Sequence, residues 1–142
     1  RPGTLAVPLI VGFGEACEIA NKSFNVEYEK ILHLRNILLE KVKSNIDDLI
    51  INGDIINRIP GNINLSFPSL RGQSIIPMLP KIAVSSGSAW TSSSPKPSHV
   101  LLSIGLNKRL INSSVRIGIG RFNTIQDIEI ASASIVEAIK KK

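Results

Sequence analysis

The sequence predicts an α+β fold, a small, mostly antiparallel sheet with helices packed on one face, and two patterns predict it. Two stretches alternate apolar and polar residues with the period of a half-buried strand, Asn62 to Phe67 and Ser114 to Gly120. Three longer stretches repeat apolar residues at helical spacing: Val7 to Ala20, Asn25 to Lys43, and the segment after Thr124. With helices at both ends and strands between them, a sheet that is dry on one face buries every apolar stripe if the helices cover that face.

Each element has a local reason. In Val7 to Ala20 the glycines of Val11-Gly12-Phe13-Gly14-Glu15 allow close approach to a neighbour. Asn25 is the expected cap of a second helix, with Glu27 and Glu29 in its first turn and Lys41 and Lys43 in its last, matching the helix dipole. Its stripe is Tyr28, Ile31, Leu34, Leu38 and Val42, widened by Leu32 and Leu39, and His33 falls off the stripe onto the surface. Leu49-Ile50-Ile51 followed by Asn52-Gly53-Asp54 reads as a short strand entering a turn. The strand from Asn62 sets Ile63, Leu65 and Phe67 against a polar face of Asn62, Asn64 and Ser66.

Between Gly72 and Val84 a short helix and then a strand are expected, with Pro77 and Pro80 kinking the helix or cutting it to one turn. Ala83 to Pro97, AVSSGSAWTSSSPKP, is too rich in Ser, Gly and Pro to be anything but a long loop, and it carries Trp90. Ser98 caps a short helix that Gly105 ends. The strand from Ser114 places Val115, Ile117 and Ile119 on one face and Arg116 on the other, beside Gly118 and Gly120. That arginine is either a solvated strand residue or a guanidinium fork for a carboxylate or phosphate, with the glycines leaving room for the ligand. Thr124 caps the last helix, whose stripe is Ile125, Ile128, Ala131, Ile135 and Ile139.

Composition narrows the function classes. A chain of 142 residues with 43% hydrophobic, 20% charged and 4% aromatic residues supports one core built from Ile, Leu and Val. The longest apolar stretch, Leu5 to Phe13, is interrupted by Pro8 and is too short to cross a bilayer, so neither a signal peptide nor a membrane anchor is expected. An opening of Arg1-Pro2-Gly3-Thr4 reads as the middle of something longer. One cysteine makes no internal disulfide and no thiolate zinc site, which fits a reducing, cytoplasmic setting with no metal. Cys17 shares a helical stripe with Ile10, Phe13 and Ala20 and is expected to be a buried structural thiol. The net charge of +6 is spread along the chain, with Lys140 to Lys142 at a helix end and no aromatic-studded strand, so no nucleic-acid partner is expected. Read for catalysis alone, the chain offers only His33 and His99 as bases, neither beside a nucleophile motif, and no phosphate loop.

Five segments carry more. Arg1-Pro2-Gly3-Thr4-Leu5, Gly12-Phe13-Gly14-Glu15-Ala16, Asn62-Ile63-Asn64-Leu65-Ser66-Phe67, Ala83 to Ser92 and Ser113 to Thr124 resemble, in order, the signature segments of the C-terminal part of cysteine desulfurases of the NifS/IscS type. These are pyridoxal-phosphate enzymes of the class V aminotransferase family. The resemblance implies the small C-terminal domain of a fold-type I transferase, with residues 1–24 a linker helix region from a large domain and residues 25–142 the small domain. The family acts in iron–sulfur cluster assembly, and its cofactor lysine lies in the large domain, which has no counterpart among these residues.

By the same resemblance Thr4 takes the place of a threonine that reaches the cofactor phosphate across a dimer, with Pro2 a departure from the usual small polar residue. Arg116 takes the place of the arginine that grips the substrate cysteine's carboxylate. Trp90 stands where the family has its nucleophilic cysteine, and an indole cannot take up sulfur as a persulfide. The family's tail for docking the iron–sulfur scaffold protein has no match after the last helix. The expectation is a desulfurase-derived domain that does not transfer sulfur by itself and binds no pyridoxal phosphate alone. The alternative is an interaction module that pairs with itself or with a full-length desulfurase through the apolar Arg1 to Phe13 segment. A third reading, an enzyme completed by a separate chain, still meets Trp90.

Overall fold

The structure, a computed structural model, describes residues 3–86 and 97–141. Helix α1 spans Val7–Lys43, and strands β1 (Ile50–Ile51) and β2 (Asn62–Ser66) follow it. Two single 3-10 turns, Pro68–Leu70 and Ile76–Met78, lead away from β2. Short helices α2 (His99–Ser103) and α3 (Lys108–Asn112), strand β3 (Ser114–Gly118) and helix α4 (Ile125–Lys140) complete the chain. The strands form one antiparallel sheet in the order β1-β2-β3, with Ile63 opposite Ile117 and Leu65 opposite Val115. The α+β class with a small antiparallel sheet and helices packed on its dry face is therefore observed.

The core lies between that face and two helices. Ile63, Leu65 and Phe67 from the β2 side and Val115 and Ile117 from β3 meet Leu34, Leu38, Leu39 and Val42 of α1 and Ile128, Ile135 and Ala138 of α4. Each fully buried Leu or Ile contributes roughly 1.5–3 kcal/mol. The stripe of α4 runs as expected from Ile128 to Ile139, except that Ile125 is exposed and Ser132 and Ala138 join the buried face. Its start is the expected cap: the Thr124 hydroxyl accepts from the Asp127 amide at 3.2 Å, and the Asp127 carboxylate accepts from the Thr124 amide at 2.8 Å. Ser98 caps α2 by accepting from the Leu101 amide, and Gly105 closes that helix at φ 91°.

Three expectations are corrected, and one helix is added. The two N-terminal helices are one, and Asn25 is not a cap but an interior residue of α1. No proline or left-handed residue interrupts the chain there, and an interior Asn costs under about 1 kcal/mol relative to Ala.

Cys17 is exposed, not buried. Its stripe is real, but α1 is about 54 Å long at 1.5 Å per residue, whereas five-residue strands span about 17 Å, so the first half of the helix runs past the sheet. Between Gly72 and Val84 the proline-bearing segment keeps one 3-10 turn, and in place of a strand there is a single bridge, Ser85 to Arg116. Helix α3 was not expected, although Asn107 caps it by accepting from the Leu110 amide at 3.0 Å.

Candidate functional site

The face of the sheet turned away from the core is polar and carries the site. Antiparallel register aligns one cross-strand row: Asn64 of β2 lies opposite Arg116 of β3, and the Asn52 amide donates to the Asn64 carbonyl at 2.9 Å on the other side. Beyond Arg116 the row continues to Ser85, which exchanges two backbone hydrogen bonds with it, at 2.7 and 3.1 Å. Gly118 follows on the same face, and a Cβ placed there would meet nothing within 4 Å. On the other side of Arg116 lies a cleft of about 330 Å³, bounded by Asn52, Asn64, Arg58, Arg116 and the α2 residues Val100 and Leu101.

Hydrogen bonds fix the floor of this cleft. The Asn52 side-chain amide, 3% exposed, donates to Asn64 Oδ1 at 2.6 Å and to Ser66 Oγ at 2.7 Å. Ser66 is buried because α3 covers it, and its hydroxyl donates to the Leu110 carbonyl at 3.1 Å. Arg58 Nη2 donates to the Asn52 carbonyl. Its Nε and Nη1, together with Asn52 Oδ1, are buried without a partner among the described residues. Burial, and then the neighbouring charge of Arg35, pull the Arg58 pKa below its ordinary value, although Asp54 opposes this. Asp54 is held low in turn, mainly by the Asn57 and Ile56 amides that donate to it at 2.8 and 2.6 Å.

The residues singled out from sequence are not all brought together. Arg116 is half-buried and lines the cleft. Thr4 is exposed, ahead of the first turn of α1, and is not part of the cleft lining. Trp90, which by resemblance takes the place of the family's nucleophilic cysteine, lies outside the described residues. His33 and His99 are both exposed. Among the described residues no group of three His, Cys, Asp or Glu could hold a metal ion. Sequence reading missed Asn52, Arg58 and Asn64 as neighbours of Arg116. The signal was the polar alternation of β2, which has to share a face with Arg116 once the dry faces are matched.

The chain is thus a helix-backed antiparallel domain with an arginine-lined, donor-rich cleft on its polar face, a design suited to a small anion. Known proteins with this sequence pattern agree on what kind of domain that is. The family model for aminotransferase class-V matches residues 1–130. The cysteine desulfurase IscS of Ehrlichia chaffeensis is 48% identical over 141 residues, 99% of this chain but 34% of that protein. The mitosomal cysteine desulfurase of Encephalitozoon cuniculi is 45% identical over the same share of the chain and 32% of its own length. A solved NifS-like protein from Rickettsia africae superposes with a TM-score of 0.80 at 28% identity, over 99% of this chain and 36% of that one. The chain belongs to the aminotransferase class-V family, and it spans about a third of the length of the cysteine desulfurases it matches.

Proposed function

We propose that this chain is the C-terminal small domain of a cysteine desulfurase, that Arg116 grips the carboxylate of its amino-acid substrate, and that these residues do not transfer sulfur on their own. The observation that carries the reading is Arg116 itself, standing on the polar face of β3 and lining the cleft with Asn64 and Arg58. A guanidinium fork pairs two parallel N–H groups with a carboxylate and holds it more firmly than a point charge would. On this reading residues 1–24 link to a large domain, residues 25–142 are the small domain, and the setting is cytoplasmic.

Pyridoxal phosphate, the cofactor of the family, supplies an electron sink when bound. The described lining of the cleft offers neither a lysine amine nor an aromatic ring for it, so the cleft by itself does not fit that group. Thr4 is exposed, and on this reading its hydroxyl serves a cofactor phosphate in a partner. Trp90 supplies no thiolate to accept sulfur. Titrating the chain with L-cysteine under reducing conditions tests the grip. Binding is expected to be lost in Arg116→Ala and to be absent for cysteamine, which lacks the carboxylate; equal binding of both ligands overturns the reading. Sulfide released from L-cysteine in the presence of pyridoxal phosphate is expected to stay at background.

A second reading, an interaction module, is favoured by a different observation. Leu5, Val7, Leu9, Ile10, Val11 and Phe13 are all more than half exposed at one end of α1. Light scattering after size-exclusion decides it: a monomer that also ignores a full-length desulfurase removes it.

A further inference from the structure

The hydrogen bonds beneath the cleft favour one orientation of each amide, and they end at the ligand. A serine hydroxyl has one proton to give, and Ser66 gives its proton to the Leu110 carbonyl at 3.1 Å. The short contact from Ser66 Oγ to the Asn52 side chain at 2.7 Å therefore needs a donor on Asn52, which must turn its NH2 group that way. The second proton of the same NH2 group then goes to Asn64 at 2.6 Å, so the atom of Asn64 facing Asn52 must be its oxygen. The opposite orientation of Asn52 would let the Ser66 hydroxyl donate to its oxygen, but it would put the Asn52 NH2 group at the buried position where, among the described residues, nothing partners it, stranding two donors in place of one acceptor. What remains of the Asn64 amide is its NH2 group. Asn64 is half-buried, lines the cleft and lies directly across the ladder from Arg116.

We propose that Asn64 is a carboxylate-binding residue of this cleft, its NH2 group turned toward the ligand beside Arg116 by the Ser66 and Asn52 hydrogen bonds. The inference rests on the reading of Arg116 as a carboxylate fork and adds a second, neutral donor to it. Arg58 acts here as a positioning residue through the Asn52 carbonyl that its guanidinium holds, and it also lines the cleft. A carboxylate has about four acceptor positions, of which a bidentate arginine uses two, so an adjacent amide donor raises affinity without adding charge. An asparagine in this orientation also disfavours a ligand that presents a cation at the same place.

Nitrogen-15 NMR of the intact chain tests this without any variant. On titration with L-cysteine, the Asn64 side-chain NH2 pair, assigned through its proximity to Asn52, is expected to shift together with the Arg116 Nε–H signal, and cysteamine is expected to move neither. Asn64→Asp puts an acceptor and a negative charge where the donor stood, and weakens L-cysteine binding by about tenfold or more. Asn64→Ala removes only the donor and weakens it less. If Arg116 responds while the Asn64 pair stays still, the assignment of Asn64 is overturned and the Arg116 fork stands. If neither responds, both fall. If Asn64→Asp does not fold, the wild-type titration decides alone.

Discussion

The two halves of α1 obey the same helical rules and end in opposite environments. From Leu34 to Val42 the helix buries Leu34, Leu38, Leu39 and Val42 against the sheet and α4. From Val7 to Lys22 every residue is exposed, including Leu9 at 75% and Cys17. Both halves carry apolar residues at helical spacing, so the difference lies in what each half reaches. Tertiary ties begin where the sheet begins. Glu27 pairs with Arg121 at 3.2 Å, and Lys30 Nζ donates to the Arg121 carbonyl at 2.7 Å. An amphipathic pattern therefore states a capacity for burial, and the length of the opposing layer decides how much of it is used.

Substitutions sharpen this contrast. Leu38→Ala removes a side chain with no exposed surface from the centre of the packed half, and is expected to cost about 2–5 kcal/mol in a urea unfolding series. A loss under about 1 kcal/mol would place Leu38 outside a close-packed core. Next comes the clamp that α4 makes on the same half. Thr124→Ala breaks the capping box and is expected to cost about 1 kcal/mol. The Thr124 backbone and side-chain groups that donate to Asp127 hold its carboxyl below the ordinary value of 3.8. A carboxyl lowered in the folded state stabilises above its unfolded value, and that contribution fades as pH falls through the lower folded value. Wild type is thus expected to lose stability below about pH 3.8 more steeply than Asp127→Asn, read by thermal melts across an acid series. The smallest effect belongs to the other half: Leu9→Ala is expected to change stability by less than about 0.5 kcal/mol. Cys17 is expected to be alkylated by iodoacetamide as fast in the native chain as in urea. A protected Cys17 together with a costly Leu9→Ala would mean that another molecule covers this half in solution.

Much of the fold was legible because its signals are local. The β2 and β3 alternations, the Thr124 and Ser98 caps and the stop at Gly105 each depend on a few neighbouring residues, and each is observed. What was not legible depends on distant partners. Asn25 carries a capping signal, but continuous helical backbone on both sides overrides a weak propensity. Arg35 lies on the packed side of α1 at 7% exposure, where a charged residue would not be expected from pattern alone. At the site, Arg116 stood out because an arginine between glycines on a strand is unusual. Asn52 and Arg58 did not, because only the turn after β1 brings them under β2.

The uninterrupted course of α1 has a mechanical consequence. A helix gripped only over its last turns is a rigid arm, and its free end magnifies whatever the grip does. From Glu27 back to Val7 the arm is about 30 Å long at 1.5 Å per residue, so a tilt of about 5° at its grip swings its tip by about 2.6 Å. Repacking Leu38 or Val42 by a fraction of an ångström is enough to displace Thr4. The core of this domain thus acts as a fulcrum as well as a source of stability.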